Sequence, residues 1–219
     1  MKGTLSRLSL GLVVLVAFAV AAAGCGATDI SAYSVDGHSV SQKNVDDELK
    51  ALRDNGEFRA LEDRLEANGQ GLVVSENANT VTSTLTATWM SNLIQDELVK
   101  TALKQRHAKV SPAARRAAAQ LVVQVFGTKA VFDAFPKWFR DTVTAREARL
   151  LALAESLNAD ITTQAGANAV GSLLIRLGRK AHVTVDPRYG TWSPKRLAVE
   201  APLVPGAHRA PAGTPTPTG

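Results

Sequence analysis

Residues 80–107 contain neither glycine nor proline, and this stretch constrains the fold more than any other part of the 219-residue chain. With no breaker across it, Leu85, Trp89, Leu93, Ile94, Leu98 and Leu103 recur at helical spacing and predict one apolar stripe on a long helix. The start of that helix is rich in β-branched residues (Val81, Thr82, Thr84, Thr86 and Thr88). Their intrinsic propensity is poor, so tertiary packing has to hold the segment.

Shorter elements surround it. Asp36-Gly37 between two semi-alternating runs predicts a β-hairpin, because both turn positions tolerate positive φ. Ser41 reads as the N-cap of a helix carrying Val45, Leu49 and Leu52, with Asp46, Asp47 and Glu48 placed early as partners of the helix dipole. Asn55-Gly56 ends it, and Phe58, Leu61 and Leu65 mark a second short helix that stops near Asn68-Gly69. Ser111-Pro112 is a cap followed by a first-turn proline, and that helix carries Leu121, Val122, Val125 and Phe126 before Gly127. Pro136 opens another helix with Trp138, Phe139, Val143, Leu150, Leu153 and Leu157. A further one is expected from about Thr163 to Leu177. Residues 181–185 read as a strand, the natural partner of the hairpin. The fold class is mainly α with a small β-hairpin plus a closing strand.

Neither end belongs to this body. Lys2 and Arg7 precede an apolar run over residues 8–23, short of the roughly 20 residues a membrane-spanning helix needs but suited to a secretory signal. The run closes on Ala21-Ala22-Ala23-Gly24 and the chain's one cysteine, Cys25. This resembles a bacterial lipoprotein lipobox, in which the cysteine becomes the acylated first residue of the mature protein. That family favours leucine three residues before the cysteine, where Ala22 stands here. The resemblance implies a signal peptide over residues 1–24, a lipidated linker over 25–29, and a membrane anchor on Cys25 at the extracytoplasmic face. The other reading is an ordinary cleavage site or uncleaved anchor with an incidental cysteine. Residues 201–219 hold five of the nine prolines and read as an extended tail.

Composition narrows the chemistry. A single cysteine excludes an intramolecular disulfide framework and multi-thiolate zinc. The four histidines (His38, His107, His182 and His208) stand singly, without metal-ligand spacing. No Gly-rich phosphate loop and no nucleophilic-serine motif is present, so neither metal nor cofactor is expected. The formal net charge of +5 splits into an acidic front (residues 26–100, six Lys/Arg against thirteen Asp/Glu) and a basic back (residues 101–219, seventeen against seven). The two halves are expected to attract one another within the fold. Arg115-Arg116, Arg146 with Arg149, and Arg179-Lys180 read as solvated helix faces, or as a basic surface toward acidic lipid heads or wall polymers. Nucleic acid is not expected as a partner of an exported chain.

The order of elements is similar to the SurA-type N-terminal chaperone domain. Val35-Asp36-Gly37-His38-Ser39-Val40-Ser41 followed by Val45-Asp46-Asp47-Glu48-Leu49 resembles its opening hairpin and helix. Residues 98–118, LVKTALKQRHAKVSPAARRAA, resemble its helix, turn and next helix, and Phe135-Pro136-Lys137-Trp138-Phe139 fits the following element. Val185-Asp186-Pro187-Arg188-Tyr189-Gly190-Thr191-Trp192 resembles the closing strand of actinobacterial members. Together these cover residues 30–200. The family usually carries a parvulin-type prolyl isomerase insert, but only about two dozen residues separate Leu157 from Ala181, and they read as one helix. The resemblance implies a chaperone module without the enzyme, one that binds unfolded or newly exported polypeptides. An adaptor that docks one folded envelope partner is the alternative, and a residual prolyl isomerase a weaker one. Trp89, Met90, Phe132, Phe135, Trp138 and Phe139 are the candidates for lining a client groove, with plain core packing as the competing role. A cradle between the long helix and the later helices satisfies both.

Overall fold

The computed structural model describes residues 30–68, Val74 and residues 80–202. The expected signal, Cys25, the linker, and all but the first two residues of the expected tail lie outside the described residues.

Strands β1 (Ser31–Val35) and β2 (His38–Ser41) form the expected hairpin. Asp36 and Gly37 turn it with φ of 49° and 83°, the left-handed pair that an Asp-Gly turn supplies at least cost. Tyr33 faces Val40 and Val35 faces His38, with one irregularity between Ser31 and Tyr33. Strand β3 (Val183–Val185) pairs antiparallel on the other side of β1, giving the order β2-β1-β3. The Ser34 and Thr184 hydroxyls meet at 2.7 Å, and the His182 amide donates to Asp36 Oδ1 at 2.8 Å. Asp36 thus serves both the turn and the third strand.

Helix α1 (Gln42–Asp54) is capped by Ser41, whose oxygen accepts from the Asn44 amide. Asn55 ends it and caps α2 (Gly56–Glu66), accepting from the Phe58 amide at 3.0 Å while donating to the Val131 carbonyl at 3.0 Å. The long helix α3 (Ser83–Gln105) starts later than the sequence suggests, because Thr82 is its N-cap. Every residue of the expected stripe is buried, and so are Ala87, Met90, Ser91, Asp96, Glu97, Val99 and Ala102. Burial therefore extends well beyond one face. α3 is the central post of the bundle, with α1, α6, α7, β1 and β5 all packed on it.

Ser111 and Pro112 cap and open α4 (Pro112–Val125) as expected. A short α5 (Lys129–Asp133) carries Phe132, and Pro136 precedes α6 (Lys137–Ser156). Small residues Ala114 and Ala118 of α4 and Ala148 and Ala152 of α6 are buried, which lets these two helices pack closely. Thr163 caps α7 (Gln164–Lys180). A second hairpin, β4 (Thr191–Ser193) with β5 (Ala198–Glu200), follows. It docks on α3 through polar groups, as Ser91 Oγ accepts from the Val199 amide and Gln95 Nε2 donates to the Leu197 carbonyl, both at 2.8 Å. The architecture is mainly α with a small antiparallel sheet.

Candidate functional site

Two residues expected on solvated helix faces point inward instead. Arg146 and Arg149, one turn apart on α6, have side chains only 19% and 23% exposed. Arg146 grips Glu48 of α1 with both terminal nitrogens, at 2.8 and 2.6 Å. Arg149 grips Asp96 of α3 side-on, through Nε and one terminal nitrogen, at 2.7 Å twice. Bidentate pairs of this kind are the strong, orientation-fixing form of ion pair. Lys100 donates to Glu97 at 2.7 Å and lies 3.4 Å from Asp96, and His38 Nδ1 lies 3.4 Å from Glu97. The Trp89 indole donates to Glu48 at 2.8 Å, and Arg146 lies over the same ring at 5.8 Å. β2, α1, α3 and α6 are thereby tied into one network with its carboxylates buried.

Electrostatics follow from that burial. For Arg146, burial works against the charge, but the hydrogen bonds and charge of Glu48 outweigh it, and its pKa stands above the ordinary value. The Tyr33 phenol is pushed far up, by burial first and by the nearby Glu97 carboxylate next. Tyr33 therefore stays neutral beside three carboxylates. Among the described residues, no group of three His, Cys, Asp or Glu is placed to hold a metal ion.

The network is a wall between two clefts. On one side, about 550 Å³ opens between the hairpin, α1, α3 and α6, with His38, Asn44 and Trp138 around it. On the other, a cleft of about 230 Å³ lies between α3, α4, α6 and α7. Its apolar lining comes from Val99, Val122, Phe126, Val143, Leu150 and Leu174, its polar edge from exposed Asn92 and half-buried Gln95 and Glu147, while Asp96 and Arg146 reach it from the interior. Val125 stands at this cleft and is 72% exposed, one of three large hydrophobic residues exposed among those described.

The aromatic candidates divide sharply. Met90 and Phe139 are fully buried, Phe135 is 2% exposed, and Trp89 and Phe132 are 8% exposed. Phe135 stacks on Phe139 at 4.6 Å and meets Phe126 edge-on at 5.0 Å, so packing is the role the fold gives them. Trp89 and Phe132 still touch cleft walls, Trp89 in the α3–α4–α6–α7 cleft and Phe132 in a separate cleft between α4 and α6. Trp138 alone is well exposed, at 46%, and it sits edge-on to Phe139. A cradle between the long helix and the later helices is present, but aliphatic and polar residues make up most of its lining. Cys25 lies outside the described residues.

The chain matches no family model, no curated protein and no solved structure. The resemblance to the SurA-type domain rests on its sequence motifs.

Glu48 was expected to serve the α1 dipole, yet no acidic residue occupies that helix's first turn. It accepts from Trp89 and Arg146 instead. The usable signal was elsewhere, in Asp96-Glu97 lying between Ile94 and Leu98 in a helix with hydrophobic residues on every side. Acids embedded in such a helix require buried cations, and Arg146 and Arg149 have the one-turn spacing to supply them.

Proposed function

We propose that this chain is a lipid-anchored protein of the extracytoplasmic membrane face that holds unfolded or newly exported polypeptides by reversible contacts, without catalysis or cofactor. The observation that carries this reading is the open α3–α4–α6–α7 cleft, apolar within and polar at the rim, with Val125 exposed beside it. An apolar surface with a polar border accepts varied apolar segments without demanding register. The SurA-type motifs in the sequence support the same reading, and the Cys25 motif supports the anchor.

An adaptor that docks one folded partner is the second reading. It is favoured by a different observation: bidentate pairs fix the wall of the cleft, and most large aromatics are locked in the core. A groove of fixed shape suits one partner better than many.

Aggregation of several unrelated unfolded clients, followed with the full chain present, separates the two. Suppression across clients, weakened several-fold by Val125→Gln (about 1 kcal/mol of lost apolar contact), supports the holding function. Tight binding to one folded partner with no effect on any client sinks it. Real turnover of a proline-peptide isomerisation substrate would overturn the non-catalytic part. Cys25→Ser should move the protein from the membrane to the soluble fraction, and retention would refute the anchor.

A further inference from the structure

We propose that the α3–α4–α6–α7 cleft prefers polypeptide segments in which a lysine or arginine adjoins an aliphatic side chain, with the Glu147 carboxylate receiving the cation. This rests on the polypeptide-holding reading and names what the cleft selects.

Three charged residues reach this cleft: Asp96, Arg146 and Glu147. The first two are neutralised from within, Asp96 by Arg149 and Lys100 and Arg146 by Glu48. Glu147 is not: it forms no hydrogen bond or ion pair with any described residue. Half-buried on α6, its carboxyl has a pKa raised by burial alone, with no cation close enough to offset that. An unpaired carboxylate beside Val143, Leu150 and Leu174 is costly, and a ligand cation that hydrogen-bonds to it relieves the cost.

The surroundings fit such a ligand. At about 230 Å³ the cleft is smaller than the roughly 300–1,000 Å³ of a small-molecule pocket. It therefore takes a side chain or two from a polypeptide passing over it rather than a whole ligand. A lysine can lay its methylene stem on the apolar lining while its ammonium reaches the carboxylate. An aliphatic neighbour then covers Val125. An acidic segment meets repulsion at Glu147 with no free cation in the cleft to answer it.

Three labelled peptides of equal length test this against the full chain by fluorescence anisotropy at fixed salt. One alternates leucine and lysine in a serine background, one has norleucine for lysine, and one has glutamate. The lysine peptide should bind about tenfold more tightly than the norleucine peptide, as expected for a hydrogen bond to a charged partner. Glu147→Gln should abolish the difference between the lysine and norleucine peptides, with circular dichroism confirming the fold. Equal binding of lysine and norleucine peptides, or a lysine preference that survives Glu147→Gln, overturns the proposal. If that equal binding is lost on Val125→Gln, polypeptide holding stands without basic selectivity. No binding by any of the three overturns both.

Discussion

Arg146 is a guanidinium that touches three elements at once: two hydrogen bonds to Glu48 of α1, a face over Trp89 of α3, and its own backbone on α6. Removing it leaves Glu48 buried with only the Trp89 indole for a partner. Arg146→Met should therefore destabilise the fold by about 3 kcal/mol, measured by urea unfolding. Adding Glu48→Gln should recover most of that, because the amide oxygen still accepts from Trp89 and no charge is stranded. Glu147, the next residue, behaves in the opposite sense. Burial raises its pKa in the folded state, so the folded chain binds that proton more tightly than the unfolded one. Its stabilising contribution is then full below the unfolded glutamate pKa and is lost as pH rises through the folded value. Glu147→Gln should leave the thermal midpoint unchanged near pH 3 and raise it at pH 7. A midpoint equal to wild type at both would show that burial does not strain this carboxylate.

Elements read well where their ends carry local chemistry. Ser41, Asn55 and Ser111-Pro112 are caps whose side chains act within three residues, and Asp36-Gly37 is a turn set by two backbone angles. Such signals sit in the sequence because the interactions are local. The short α5 and the β4–β5 hairpin are not legible in the sequence because neither has an apolar period of its own. What defines the hairpin is α3, through Ser91 and Gln95, about a hundred residues away. The Glu48–Arg146 pair was hidden for the same reason, since nothing near either residue names its partner. Within the hairpin region Gly190 is the sensitive point. Its φ is 124°, and a Cβ there would fall on the Glu200 carbonyl oxygen. Gly190→Ala should cost more than about 2 kcal/mol, read as a lower urea midpoint together with a red shift of Trp192 emission as the hairpin loosens.

Over the whole molecule the acidic front and basic back of the chain are knitted together rather than segregated. Glu48 meets Arg146 and Asp96 meets Arg149 across the two halves, as their opposite charges led one to expect, but in the interior rather than on the surface. The exposed pairs are instead local ones, such as Lys43–Asp47, Lys129–Asp133 and Lys137–Asp141 on single helices. Buried pairs are screened little by salt, and exposed ones contribute little to begin with. Raising sodium chloride from about 0.05 to 0.5 M should therefore shift the thermal midpoint by no more than about 2 °C. A fall of about 10 °C would mean that the cross-half pairs are open to solvent.

The central strand of the three-stranded sheet has one neighbour a few residues away and the other 150 positions on, as the Ser34–Thr184 hydroxyl contact shows. A ribosome or translocation pore delivers residues in order, so β1 waits beside β2 with one flank open until almost the entire body has emerged. During that interval its free amides and carbonyls can pair with any passing strand. Closure of this sheet waits on β3, not on the hairpin that precedes it.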